Sequence, residues 1–304
     1  MGIVRPMKER WTSSSEILKP MQTIKQVISA SRRTDLVAFF PDWLADAVRE
    51  KKAEVQGPSG RVYTVDLSPE SVHTFVLWSK SFENLIANVS GLQDGLREYD
   101  QLYFHFTITG MGGTPVEKEV PSPQAALRQL EPLLALAGRP ERISLRFDPV
   151  IYWLEKDKIK TNLRFFEELA GRAAELGIRN IRFSFAQWYG KSKRRAEKLG
   201  FPYVDPPLEE KRNDAFYLST VARSHGLSLY CCSQDFLADI PGIRPSACID
   251  GWLLQECHPE GAPVSITKDK TQRRECRCTE SVDIGSYAQT CPHSCVYCYA
   301  NPKV

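Results

Sequence analysis

Apolar runs of strand length alternate with segments of helical periodicity through most of this chain, and that alternation leaves few folds open. Val27–Ile28, Phe75–Leu77, Leu102–Phe106, Ile143–Leu145, Ile181–Phe185 and Leu227–Tyr230 read as buried strands. Helical patterns lie between them. Pro41 starts one that carries Trp43, Leu44, Ala47 and Val48. The next carries Leu85, Ile86, Val89 and Leu92, and a third carries Leu127, Leu130, Leu134 and Ala137 with a kink expected at Pro132. A fourth, with Leu163, Phe166, Ala170 and Ala173, ends at Gly177; a fifth, Leu208–His225, closes at Gly226. A turn at 57–60 leads into a short strand, Arg61–Asp66, and Val282–Tyr287 reads as one more short strand. Strands separated by helices build a parallel sheet of βα units. The expected fold class is therefore α/β, a full or partial TIM-like barrel of parallel strands with a cysteine-rich loop at the C-terminus.

The strand ends share a second regularity. One after another they finish in polar or reactive residues: Ser29–Asp35, Ser79–Lys80, Thr107–Thr109, Arg146–Asp148, Ser184–Gln187, then Cys232. In a barrel of parallel strands such ends converge on one face, where active sites are built. A length of 304 residues suits one such barrel. Residues 1–22 are polar, with Ser13, Ser14 and Ser15 at their middle, and are expected to form a flexible arm. Residues 23–304 are expected to form a single domain, with 232–304 as a cysteine-rich part that closes the pocket.

Composition excludes several function classes. A net charge of +3 does not by itself point to nucleic acid. There is no run of about 18 apolar residues that could span a membrane. The first ten residues are basic without an apolar stretch, unlike a secretory signal, and Pro6 stands where a myristoylation signal needs Ser or Thr. The expected location is the cytoplasm, where reducing conditions make a cysteine cluster metal-binding or catalytic rather than a disulfide framework.

The cysteines are the strongest chemical signal. Five of the nine fall between Cys276 and Cys298. Cys291, Cys295 and Cys298 are spaced C-x3-C-x2-C, and soft thiolates on so short a loop can hold three irons of a 4Fe-4S cluster, leaving the fourth iron open. The alternative is zinc, completed by Cys276, Cys278 or His293. Cys232, Cys248, Cys276 and Cys278 make a further four, the number for a second complete site. An auxiliary 4Fe-4S cluster is expected there, with structural zinc as the alternative. Cys231 and Cys257 are left over as ordinary thiols.

C-x3-C-x-aromatic-C, with Tyr297 at the aromatic position, resembles the cluster motif of the radical S-adenosylmethionine (radical SAM) superfamily. The longer string Ser286–Ala300 is similar to the cluster loop of its spore photoproduct lyase and DNA repair photolyase-like branch. Ser31–Asp35, Val76–Ser81 and Phe106–Pro123 resemble that branch's Thr-Asp, Thr-Lys-Ser and Thr/Glu-Pro segments in the same mutual order. One departure is position: such enzymes carry the cluster loop after the first strand, whereas here it comes last. The resemblance is therefore to a circularly permuted barrel, with Asp283–Tyr287 standing in for the first strand. The chain as a whole also resembles an uncharacterised bacterial family known as a domain of unknown function.

The resemblance implies a 4Fe-4S cluster on Cys291, Cys295 and Cys298 and a bound S-adenosylmethionine, cleaved reductively to a 5'-deoxyadenosyl radical that takes hydrogen from a substrate. It also implies an electron donor such as flavodoxin or ferredoxin. The substrate, a small molecule or nucleic acid, is not identified. Lys80, Arg146 and Asp148 are candidate catalytic residues. Arg32, Asp35, Ser79, Thr107, Thr109 and Tyr297 are candidate cofactor contacts. The superfamily's Gly-Gly-Glu motif is absent. For each strand-end residue the alternative is a structural ion pair or cap.

The basic run Lys191–Lys198 could meet phosphate, or be a solvated helix face. His293 lies inside the cluster loop, where it could orient a ligand. The competing function is a non-catalytic binding protein stabilised by zinc or a cluster, contacting nucleic acid through Lys191–Lys198.

Overall fold

The computed structural model of the protein describes residues 24–57, 59–300 and 302–303; the arm expected over residues 1–22 lies outside them. The apolar runs form β1 (Gln26–Ala30), β2 (Val72–Ser79), β3 (Leu102–Thr107), β4 (Ile143–Val150), β5 (Asn180–Phe185), β6 (Ser228–Cys231) and, after β7 (Ile243–Pro245), a short strand that no apolar run marked, β8 (Val282–Asp283). They make one eight-stranded sheet in the order β7-β6-β5-β4-β3-β2-β1-β8. Every neighbouring pair is parallel. From β1 to β7 each new strand adds on the same side, so all their C-terminal ends reach one rim. β8 breaks the progression and returns to lie outside β1, with Val282 beside Ile28 and Asp283 beside Ser29. This is a mixed α/β fold of the TIM-like or Rossmann-like kind. Among the described residues no strand pairing joins β7 to β8.

Strands covered on both faces read as continuous apolar runs. In β2 every residue except Trp78 is buried. The helix-facing layer is aromatic: Phe75, Phe104, Phe106, Phe147 and Phe183 pack with Leu44, Leu133, Leu169 and Leu218 of the covering helices. Full burial of each such side chain contributes about 1.5–3 kcal/mol. The opposite face has a different filling. Val27, Val76 and Tyr103 pack there against Cys248, Ile249, Leu254, Val264 and Cys278. Asp250 fixes this late segment by capping the helix Gly251–Cys257, accepting the Trp252 and Leu253 N–H groups at 3.1 and 3.4 Å.

Several local expectations change. The helix read through Leu85–Leu92 is broken into Glu83–Ile86, a single 3₁₀ turn and Leu92–Leu96, because Asn88, Ser90 and Gly91 all take left-handed backbone. The helix read through Leu127–Ala137 is divided at Gln129 into Pro123–Arg128 and Leu130–Ala137, which leaves Pro132 in the first turn of the second piece, where its missing N–H costs nothing. The basic run becomes the helix Gly190–Lys198. Two small antiparallel sheets also flank the main one: Lys52–Gln56 with Val62–Asp66, and Tyr152–Glu155 with Lys158–Thr161 and Tyr203–Val204.

Candidate functional site

Two adjoining cavities open where the strand ends meet the C-terminal cysteine loop. The larger, of about 260 Å³, is lined by Arg32, Trp78, Arg146 and Asp148, by Cys232, Cys248, Cys276 and Cys278, and by Tyr297, Cys298 and Tyr299. The smaller, of about 160 Å³, is lined by Cys291, His293 and Cys295 together with Asp35, Ser79, Lys80 and Thr107. Arg32, Trp78, Tyr297 and Cys298 border both. All seven cysteines in the two expected groups therefore face this rim. Cys231 and Cys257 are buried elsewhere, Cys257 with its Sγ 3.8 Å from the Glu141 carbonyl.

The path from β8 into the loop runs against β1. Asp283 accepts the Ser29 hydroxyl at 2.8 Å and the Arg32 N–H at 2.9 Å. At Gly285 a Cβ would come within 1.9 Å of Ser31 Oγ, so the chain can pass there only as glycine. The loop then folds back on itself. The Cys298 N–H donates to the Cys295 carbonyl at 3.2 Å, and the Lys303 N–H to the Cys291 carbonyl at 2.8 Å. Arg195 Nη1 donates to the carbonyls of Val296 and Cys298 at 3.0 and 2.7 Å. One member of the basic run is thus spent on the loop, while Lys191, Lys193, Arg194 and Lys198 remain exposed.

Two buried carboxylates tie the loop to the strand ends. Asp35 accepts the Ala38 N–H at 3.0 Å, the Ser79 hydroxyl at 2.8 and 2.9 Å and the Lys80 N–H at 2.8 Å. His293 Nε2 lies 2.8 Å from the same carboxylate, and Nδ1 lies 3.1 Å from the Glu119 carbonyl. Both ring nitrogens of His293 are thus engaged away from any ligand position. Asp35 and Ser79, read as cofactor contacts, use their polar atoms to brace one another and the loop.

The second carboxylate, Glu117, is fully buried, and sequence reasoning did not single it out. It pairs with Lys80 Nζ at 2.8 Å, accepts the Thr109 hydroxyl at 2.7 Å, and accepts the Tyr297 hydroxyl. Burial works against the Lys80 ammonium, but Glu117 and then Cys295 outweigh it and hold the lysine above its ordinary value. Burial likewise works against the Glu117 charge, and Lys80 outweighs it, so the carboxyl sits below its usual range. The signal available in sequence was the segment Pro115–Pro121, readable as a loop but not as a buried anchor.

The loop thiols behave as buried thiols. Burial pushes Cys295 well above the usual range despite the opposing Lys80. Burial and then Asp35 push Cys291 up to about 11, and burial raises Cys298. Among the described residues no three His, Cys, Asp or Glu side chains are gathered around one point as a bound metal ion would hold them. Three soft donors nevertheless face one cavity beside a fixed ammonium, a donor set that suits iron–sulfur, whose thiolates sit on separate irons.

On the other wall Arg146 Nη1 donates to Cys248 Sγ at 3.0 Å and its second nitrogen pairs with Asp148, which also accepts the Ser184 hydroxyl. Burial opposes the Arg146 charge, but Asp148 and Cys248 outweigh it and hold the guanidinium well above its ordinary value. Trp78 stacks on His105 with centroids 4.0 Å apart, and its ring also meets the guanidinium groups of Arg32 at 5.6 Å and Arg146 at 5.2 Å. The structure thus brings Lys80, Arg146, Asp148, Arg32, Asp35, Ser79, Thr107 and Tyr297 to one rim, while Thr109 reaches it through Glu117. No helix among the described residues is long and apolar enough to cross a membrane.

Solved structures offer weak likenesses. A D-hydantoinase from Bacillus sp. AR9 is 15% identical over 69% of this chain and 40% of its own, with a TM-score of 0.32. A morphinone reductase in complex with tetrahydroNAD is 14% identical over 80% of this chain and 62% of its own, with a TM-score of 0.31. The chain spans less than two thirds of the length of either. No curated protein matches the sequence. The family described as a domain of unknown function, DUF1848, matches residues 27–300, and the chain belongs to that family.

Proposed function

We propose that this protein is a radical S-adenosylmethionine enzyme working in the cytoplasm, with Cys291, Cys295 and Cys298 as ligands of its cluster. On this reading the sheet is a full or partial TIM-like barrel, permuted so that β8 and the loop after it supply the first strand and first catalytic loop. The observation that carries the proposal is the placement of β8. It lies outside β1 and delivers the three thiols to the rim where the ends of β2 and β3 present Lys80 and Thr107. A 4Fe-4S cluster bound there, with S-adenosylmethionine on its open iron and an electron from a flavodoxin- or ferredoxin-like donor, would supply a 5'-deoxyadenosyl radical that takes hydrogen from the substrate.

The chain's own residues have separable tasks. Glu117 holds Lys80 charged beside Cys295, where an ammonium offsets the negative charge of bound thiolates. Asp35 and His293 fix the loop's orientation. Arg32 and Trp78 stand between the two cavities; Arg32 is a cation that can take a carboxylate, and Trp78, stacked on His105, backs that guanidinium group. Arg146 and Asp148 balance each other's charge on the wall of the larger cavity, the space left for substrate.

The test is anaerobic purification with iron and sulfide quantified, followed by reduction in the presence of S-adenosylmethionine. The expected result is a brown protein that releases 5'-deoxyadenosine. A fully loaded cluster that never yields 5'-deoxyadenosine would overturn the enzymatic reading, and protein that takes up no iron would overturn the cluster itself.

A further inference from the structure

The four cysteines outside the loop come from three separate stretches. Cys232 follows β6, Cys248 follows β7, and Cys276 and Cys278 precede β8. They nevertheless gather on one wall of the larger cavity, Cys248 and Cys278 buried and Cys232 and Cys276 packed against them. Cys232 Sγ and Cys248 Sγ stand 3.7 Å apart, and all four thiols are free. Two N–H groups already point at sulfur: Arg146 at Cys248, 3.0 Å away, and the Ile249 amide at Cys278, 3.3 Å away. Hydrogen bonds of this kind orient metal-bound thiolates. The backbone beneath is braced, with the Thr279 N–H on the Ile249 carbonyl and the Asp269 N–H on the Cys278 carbonyl, each at 2.9 Å.

The sulfur spacing bears on nuclearity. Four sulfurs about 2.3 Å from one tetrahedral ion lie about 3.8 Å from each other. The Cys232–Cys248 separation of 3.7 Å matches one edge of that tetrahedron. A 4Fe-4S cluster places each thiolate on a different iron and holds the sulfurs farther apart. The remaining sulfurs are not drawn around a common point among the described residues, so closing the set would be the work of the ion.

We propose that Cys232, Cys248, Cys276 and Cys278 form a second metal site that binds one tetrahedral zinc ion. Binding converts four thiols to thiolates and releases four protons to solvent. The site then carries two negative charges, faced by Arg146 and Arg32 on the same cavity wall. Four protein ligands leave no open position, so the ion is structural: it joins the ends of β6 and β7 to the segment before β8 and shapes the wall of the larger cavity. The inference does not depend on the reaction proposed above.

The test uses the full chain with Cys291→Ala, Cys295→Ala and Cys298→Ala combined, which removes the loop thiols. Expected are one zinc per chain and, after cobalt(II) exchange, the visible absorption of tetrahedral thiolate coordination. Cys248→Ala added to that background should abolish both. Should the triple variant fold poorly, the wild-type chain purified in air and treated with an iron chelator serves instead, read by the same cobalt spectrum. Iron with stoichiometric inorganic sulfide in the triple variant would overturn the single-ion assignment. All four thiols titrating freely without metal, or a Cys232–Cys248 disulfide found by mass spectrometry, would overturn the site.

Discussion

The two cysteine groups on this rim are built in opposite ways. The loop group is local: three thiols within eight residues, delivered by one strand and one turn. The wall group is assembled from stretches that meet only because β6, β7 and β8 end at the same rim. The first is held by Arg195, which reaches across to it, and by its own His293 and Tyr297, which reach out to Asp35 and Glu117. The second is held by the fold itself, through buried packing against Val76 and Tyr103. A local group can be emptied or altered with the sheet intact. A group assembled by the fold is coupled to folding, and metal bound there adds to stability.

The sharpest way to break this comparison is to remove one thiol from each group. Cys295→Ala is expected to abolish iron retention and 5'-deoxyadenosine formation while changing unfolding free energy by about 1 kcal/mol. Cys248→Ala should do the reverse, lowering thermal stability by several degrees while iron on the loop is retained. Parallel metal analysis and thermal denaturation check both. If Cys248→Ala also empties the loop, the two groups are one site and the contrast fails.

Glu117→Gln tests what anchors the local group. It leaves Lys80 buried without its counter-charge, and loss of one partner of a buried pair costs about 3–5 kcal/mol. Adding Lys80→Met should recover part of that loss, because the stranded charge goes too. The pH dependence has a definite sign. The folded carboxyl lies below its unfolded value, so its contribution is complete above the unfolded pKa of about 4.3 and is lost as pH falls through the folded one. Urea unfolding at pH 7, 5 and below 4 should therefore show the gap between wild type and Glu117→Gln widest at the two higher values and narrowing below pH 4.

How much of this was legible in sequence follows the same division. The C-x3-C-x2-C spacing needs no tertiary knowledge, and the strand ends could be read because β-strands announce themselves as apolar runs. Six cysteines remain after the loop is counted, and the four of the wall group could be named once Cys231 and Cys257 were set aside. Their mutual spacing was not readable, because it depends on where β7 and β8 fall in the sheet. Glu117 was invisible for a similar reason: an acidic residue in a polar loop looks solvent-exposed until Lys80, Thr109 and Tyr297 close over it. The strand ends had already given Arg146, Asp148 and Ser184, but the alternation that extends their face back to Arg182 went unread. Arg146, Asp148, Arg182 and Ser184 alternate with Leu145, Phe147, Phe183 and Phe185, a period-2 pattern that marks one face as a lined pocket.

Arg146 sharpens the comparison from the wall side. Its guanidinium bonds Cys248 with one nitrogen and Asp148 with another, a planar fork that lysine cannot reproduce. Arg146→Lys should weaken zinc on the wall group by about 10–100-fold, the usual effect of losing a partner that orients a ligand. Competition with a chromophoric chelator measures it. Iron on the loop should be unaffected, because Arg146 touches none of Cys291, Cys295 or Cys298.

Arg195 makes the corresponding test on the loop side, with the smallest expected effect. The helix Gly190–Lys198 buries Ser192 and Ala196 and turns most of its cations to solvent, but Arg195 reaches across to two loop carbonyls. Charged hydrogen bonds of this kind contribute about 1–2 kcal/mol when the group is partly exposed. Glu117 and Asp35 still anchor the loop in Arg195→Ala, so the sheet should melt as in wild type. The loss should appear instead as faster chelator-driven release of iron, several-fold, with zinc on the wall group unchanged. Lys198→Ala, one turn on and exposed, is the control and should release iron at the wild-type rate. If both variants lose affinity for single-stranded nucleic acid while neither alters iron release, the basic helix is a binding face and Arg195 is not a clamp.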